Sequence, residues 1–106
     1  MSPREFLDLI RKVMDAEPRQ RERGADEVTD HLSAYSAAEA AALATILSAT
    51  ASCEKGHEAL EAQLHAILEL TSTGHVNLGH ISRLSEINLK ELPIPLREYV
   101  TDLLEG

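Results

Sequence analysis

The chain has 106 residues, 43% of them hydrophobic and 26% charged, the balance of one globular domain with a modest core rather than of a disordered segment. Three aromatic residues, Phe6, Tyr35 and Tyr99, leave Leu, Ile, Val and Ala to build the interior and supply no set of stacking platforms for nucleic-acid bases. The net charge is −8, and residues 24–106 hold four basic and thirteen acidic side chains, a field that repels phosphate backbones and anionic membranes and attracts basic partners.

Helix signals are dense from the start. Ser2-Pro3-Arg4-Glu5 reads as a capping box with proline in the first turn, and Phe6, Leu9, Ile10, Val13 and Met14 follow as an amphipathic stripe. Pro18 closes this helix and opens a second, expected to reach about Ala34, with Ala25, Val28, Leu32 and Tyr35 facing inward. Its segment RQRERGADEVTDHL begins basic and ends acidic, and at 100° per residue Arg19, Arg23, Asp26 and Asp30 face outward. Gly24 falls at the edge of the buried stripe, where a helical glycine costs roughly 1 kcal/mol against alanine. Close approach of a neighbouring helix and a kink both account for it.

Ser36-Ala37-Ala38-Glu39 is a second capping box, opening a third helix to about Lys55 with Gly56 as a left-handed cap. Its face of Ala40, Leu43, Ala44, Ile46, Leu47 and Cys53 suits a central helix with close neighbours. The fourth helix, HEALEAQLHAILELTST, places Leu60, Leu64, Ile67 and Leu68 in its main stripe and stops at Gly74. A fifth, about Leu78–Ile87, starts at an Asn77 cap with Val76 and Ile81 as a hydrophobic staple. The prolines of LPIPLREYV begin a sixth, with Leu96, Tyr99, Val100, Leu103 and Leu104 inward. The expected architecture is all-α: about six short antiparallel helices as stacked, HEAT-like hairpins or a compact bundle, forming a single domain over residues 1–106. A faint repeat pairs helices two and three against four and five.

Few arrangements suggest chemistry. His57, Glu61 and His65 stand four apart on helix four, but the outer two are ~12 Å from each other along the axis, too far for one ion. A solvated polar row of Glu58, Glu61, His65 and Glu69 is the better reading, and no metal or other cofactor is expected. Cys53 and His57 are also four apart, with Gly56 breaking the helix between them and nothing to orient the histidine. Cys53 reads as a small core residue, and no catalytic residue is expected. The basic side chains Arg4, Arg11, Lys12, Arg19, Arg21 and Arg23 are interleaved with Glu5, Asp8, Asp15, Glu17 and Glu22 and can pair locally. A DNA-binding or transcription-accessory domain is the alternative reading, but SRLSEINLKELP lacks a basic recognition helix, so no nucleic-acid partner is expected. The start MSPREFLDLIRK is too charged for a signal peptide, no stretch approaches the ~20 apolar residues of a membrane span, and the single Cys53 suits a reducing cytoplasm.

What remains is the acidic surface: Asp26, Glu27 and Asp30 on helix two, with Glu58, Glu61, His65 and Glu69 on helix four. Parallel stacking of the hairpins would join them into one negative face for a basic protein partner. A homo-oligomer stays open. The stretch RERGADEVTDHLSAY…AALATILSATASCEKGHEALEAQLHAILELTSTGHV resembles the short HEAT-like immunity proteins of bacterial polymorphic toxin loci. The resemblance is carried by Arg23-Gly24-Ala25, Leu32, the Ser36–Glu39 box, Glu61-Ala62-Gln63-Leu64-His65-Ala66 and Leu68, across roughly residues 18–90. It implies a non-enzymatic antidote that binds a cognate toxin domain and blocks its active site or holds it shut. No site residue transfers by motif, because such proteins diverge at their contact surface.

Overall fold

Ser2 Oγ accepts the Glu5 amide at 3.1 Å while Glu5 Oε1 accepts the Ser2 amide at 3.1 Å, so α1 (Pro3–Val13) begins at the expected capping box in this computed structural model, which describes residues 1–106. The same reciprocal pair at Ser36 and Glu39 (3.1 and 2.8 Å) starts α3 (Ala37–Cys53). Between them lie α2 (Pro18–Asp30) and a 3-10 turn, Leu32–Ala34. After them come α4 (His57–Ser72), a 3-10 stretch Leu78–Glu86, a 3-10 turn Leu89–Glu91 and α5 (Ile94–Glu105). The chain is all-helical.

Short joints decide the pairing. The turns Met14–Glu17 and Glu54–Gly56 fold α1 against α2 and α3 against α4 as antiparallel hairpins. The two hairpins stack with α2 on α4 and, more lightly, α1 on α3, so the expected pairing of helices two with three and four with five gives way to this register. The 3-10 stretch covers α3, and α5 packs on that stretch and on α4. Leu43, Leu47, Leu60, Leu64, Ile67, Leu70, Ile81, Leu84, Val13, Val28 and Val100 are the large apolar side chains fully enclosed between these elements. Ala40, Ala44 and Ala51 on α3 and Ala59 and Ala66 on α4 are buried, the small side chains that let neighbouring axes come close.

Several local expectations change. The second helix stops at Asp30 rather than near Ala34, because buried Tyr35 folds back and its hydroxyl donates to Val28 O at 3.0 Å, satisfying a carbonyl at the helix end. Replacing Tyr35 with phenylalanine should cost about 0.5–1.5 kcal/mol, read from urea unfolding; a loss below that range would mean the bond is equally well made to water. The third helix ends at Cys53, and Gly56 (φ −85°) starts α4 instead of capping α3 in the left-handed region. Cys53 is thereby exposed rather than part of the core.

The fifth helix is 3-10 rather than α, broken at Ile81 (φ −111°, ψ 17°). Ser48, fully buried on α3, has its hydroxyl 3.0 Å from Thr45 O on its own helix and 3.2 Å from His80 O, so its one proton serves either carbonyl and ties the 3-10 stretch to α3. Ile81 and Leu84, three apart, then share the buried side. Met14 and Leu68, expected in apolar stripes, are 59% and 44% exposed. Gly74 does end α4, at φ 84°.

Candidate functional site

The starts of α2 and α4 lie side by side: Pro18, Arg19, Glu22, Gly56 and Glu58 line one shallow depression. Burial of Gly24, Ala25 and Val28 turns Asp26 and Asp30 outward on α2. Burial of Leu60, Leu64 and Ile67 does the same for Glu58, Glu61 and His65 on α4. Two adjacent helices that begin at the same end therefore carry the exposed carboxylates Asp26, Asp30, Glu58 and Glu61, none of them in an ion pair.

Glu27 stands apart from this set. Lys12 Nζ on α1 donates to both of its oxygens, at 2.9 and 3.1 Å, so its charge is spent across the first hairpin. Glu69 is half-buried, with Oε1 3.9 Å from His65 Nε2. His65 Nδ1 lies 3.3 Å from the Tyr99 hydroxyl on α5. Burial, reinforced by the carboxylates of Glu69 and Glu61, raises the Tyr99 phenol above its ordinary value.

Beside this surface an open cleft of about 410 Å³ separates α4 from α5, lined by Leu68, Pro95, Glu98, Tyr99, Asp102 and Leu103. No three His, Cys, Asp or Glu side chains are gathered in a way that could hold a metal ion. Cys53 Sγ lies 3.7 Å from Ser52 Oγ.

The strongest polar network lies underneath the surface. Arg21 grips Glu54 bidentately, Nε to Oε1 at 2.6 Å and Nη2 to Oε2 at 2.8 Å, and its Nη1 donates to the carbonyls of Asp15 and Ala16 at 2.8 and 2.9 Å. The Glu54 side chain is fully buried and also accepts from Gln63 Nε2 at 2.8 Å and the Gly56 amide at 3.1 Å. Gln63 Oε1 is buried without a partner. Burial pushes the Glu54 carboxyl up, but the bonds from Arg21, Gly56 and Gln63 outweigh it and hold the group below the usual carboxylate range. Arg21, read from sequence as one of a solvated basic set, is thus the clamp between the two hairpins. The available signal was Gln63, a polar residue at a core position between Leu60, Leu64 and Ile67.

No protein-family model, no curated protein and no solved structure matches the chain. No helix is long and apolar enough to cross a membrane.

Proposed function

We propose that this chain is a non-enzymatic protein-binding module that uses the acidic face of α2 and α4 to dock a basic partner, and that it serves as the immunity protein of a bacterial toxin. The observation carrying the reading is the set of exposed, unpaired carboxylates Asp26, Asp30, Glu58 and Glu61 on adjacent helices. Lys12 and Arg21 are engaged by Glu27 and Glu54, while the exposed Arg19 and Arg23 form a basic rim at the start of α2, beside which Asp26 and Asp30 carry the acidic end. An antidote gains from electrostatic steering, since it must reach its toxin before damage is done. In this reading it works in the cytoplasm, where a lone thiol stays reduced.

The test begins with the polypeptide encoded immediately upstream. Co-expression should relieve that polypeptide's toxicity and lower its activity at stoichiometric binding. Reversing Asp26 and Asp30 to lysine should slow association by on the order of tenfold at low salt, with a smaller effect at high salt. Stopped-flow rates unchanged by the reversal would remove the acidic face from the reading, and absence of any protection would remove immunity itself.

A further inference from the structure

The α4–α5 cleft combines two features that the acidic face alone does not have. Its floor is apolar: Leu68, Tyr99, Leu103 and Pro95 line it, Leu68 is 44% exposed, and Ile94, next to Pro95, is 61% exposed. Its rim is anionic: Glu98 and Asp102 lie on the α5 side, and Glu61 and Glu69 on α4 are near enough to act on the Tyr99 hydroxyl. Glu61, Glu98 and Asp102 make no ion pair. No lysine or arginine occurs between residues 56 and 82, and Arg97, the one basic side chain of α5, is bonded to Leu92 O at 3.0 Å.

We propose that this cleft seats a cationic amphipathic helix of the partner protein, its aliphatic side chains on Leu68, Tyr99 and Leu103 and its Lys or Arg side chains on Glu61, Glu98 and Asp102. The inference rests on the chain being a protein-binding module and names what that module grips. Walls made of two helices offer a groove and no strand edge, so the fitting occupant is a helix with apolar residues at i, i+3, i+4 and i+7. Glu98 and Asp102, one turn or ~6 Å apart along α5, match basic residues at the same spacing on the guest. A second copy of this chain fits poorly. Two molecules of charge −8 repel, and a cleft-to-cleft pairing would oppose Glu98 and Asp102 to their own copies.

The probe is a fluorescein-labelled 15-residue Leu/Lys peptide patterned as an amphipathic helix, titrated into the intact chain by anisotropy, beside its scrambled isomer. The patterned peptide should bind at least tenfold tighter than the scrambled one, and should perturb the methyl resonances of Leu68 and Leu103. Leu68→Gln should weaken it at least fivefold and Glu98→Gln with Asp102→Asn about tenfold, whereas Asp26→Asn with Asp30→Asn should change it less than twofold. Equal affinity for the scrambled peptide, or indifference to Leu68→Gln, overturns the proposal. Concentration-dependent dimers in sedimentation that Leu68→Gln abolishes would also overturn it, by making a second copy the occupant. Association rates unchanged by reversing Asp26 and Asp30 would instead sink the acidic-face reading and leave this titration standing.

Discussion

Replacing Glu54 with alanine should lower stability by about 3–5 kcal/mol, a large part of the ~5–15 kcal/mol that holds a domain of this size together. Its carboxylate is fully buried and receives four hydrogen bonds, two from Arg21 and one each from Gln63 and Gly56. Deleting it leaves the Arg21 guanidinium, 19% exposed, without its counter-charge, and takes away the single hydrogen bond that the Gln63 side chain makes. An interior cation without its anion is what makes breaking a buried pair so much costlier than losing an exposed one. Urea unfolding should show the midpoint falling with the slope unchanged, and thermal unfolding a drop of more than about 12 °C. A loss under 1 kcal/mol would show that the clamp between the hairpins contributes specificity and little stability.

The same carboxylate gives the chain an acid limb. Because the folded-state value lies below the ordinary 4.5, the bonds to Arg21, Gly56 and Gln63 stabilise the fold fully above that ordinary value, and the contribution is lost as pH falls below it through the folded value. Glu54→Gln, which cannot ionise, should flatten that limb. At the alkaline end the sign is opposite. Burial, with Glu27, Asp30 and Glu39 adding to it, pushes the Tyr35 phenol up to about 12, so its protonated form stabilises the fold below the ordinary value of 10 and that contribution fades as pH climbs toward 12.

Much of the architecture was legible because helix signals are local. Proline in the first turn and serine three residues before glutamate mark where a helix starts, and both boxes form as expected at Ser2 and Ser36. The spacing from Leu78 to Ile87 suits an α-helix and a 3-10 helix alike, and the structure takes the 3-10 form over Leu78–Glu86. What local spacing does not show is the packing of this stretch on α3, where the Ser48 hydroxyl, 32 residues away, lies 3.2 Å from the His80 carbonyl. Arg21 illustrates the same limit. Six basic residues alternate with five acidic ones over residues 1–23, and every one has a local partner in reach. Only the fold brings Glu54, 33 residues on, to the guanidinium.

The candidate site divides the same way. Amphipathic spacing was enough to send Asp26, Asp30, Glu58, Glu61 and His65 outward, since each follows from which neighbours are buried. Glu27 belongs with them by spacing but leans toward α1, because α1 runs close enough for Lys12 to reach it. The cleft was hidden by a stripe that looked like core. Leu68 continues the series Leu60, Leu64, Ile67, yet α2 and α3 supply most of the packing on α4 and leave Leu68 at an open edge beside α5. Tyr99, read as inward, lines the opening and joins α5 to α4 through His65.

Gly24→Ala should destabilise the chain by about 1–2 kcal/mol, although the same change at an exposed helical glycine would stabilise by ~1 kcal/mol. A Cβ at this position would lie 2.8 Å from Lys12 C and 2.8 Å from Val13 N, atoms of the α1 backbone that cannot turn aside as a side chain can. Of the two sequence-level accounts of this glycine, the close approach is therefore the operative one, and α2 runs unbroken through it. Accommodating the methyl group means lifting α1 off α2, which loosens the contacts of Leu9 and Val13 and lengthens the Lys12–Glu27 pair. Gly24→Val adds two more carbons at the same point and should cost about 3 kcal/mol or more, since overpacking grows with the volume forced in. The sign is the decisive readout: urea midpoints that rise for alanine would mean the two helices separate freely at their crossing. A fall that deepens from alanine to valine means that backbone-to-backbone contact at residue 24 fixes the first hairpin, and with it the position of the acidic face on α2.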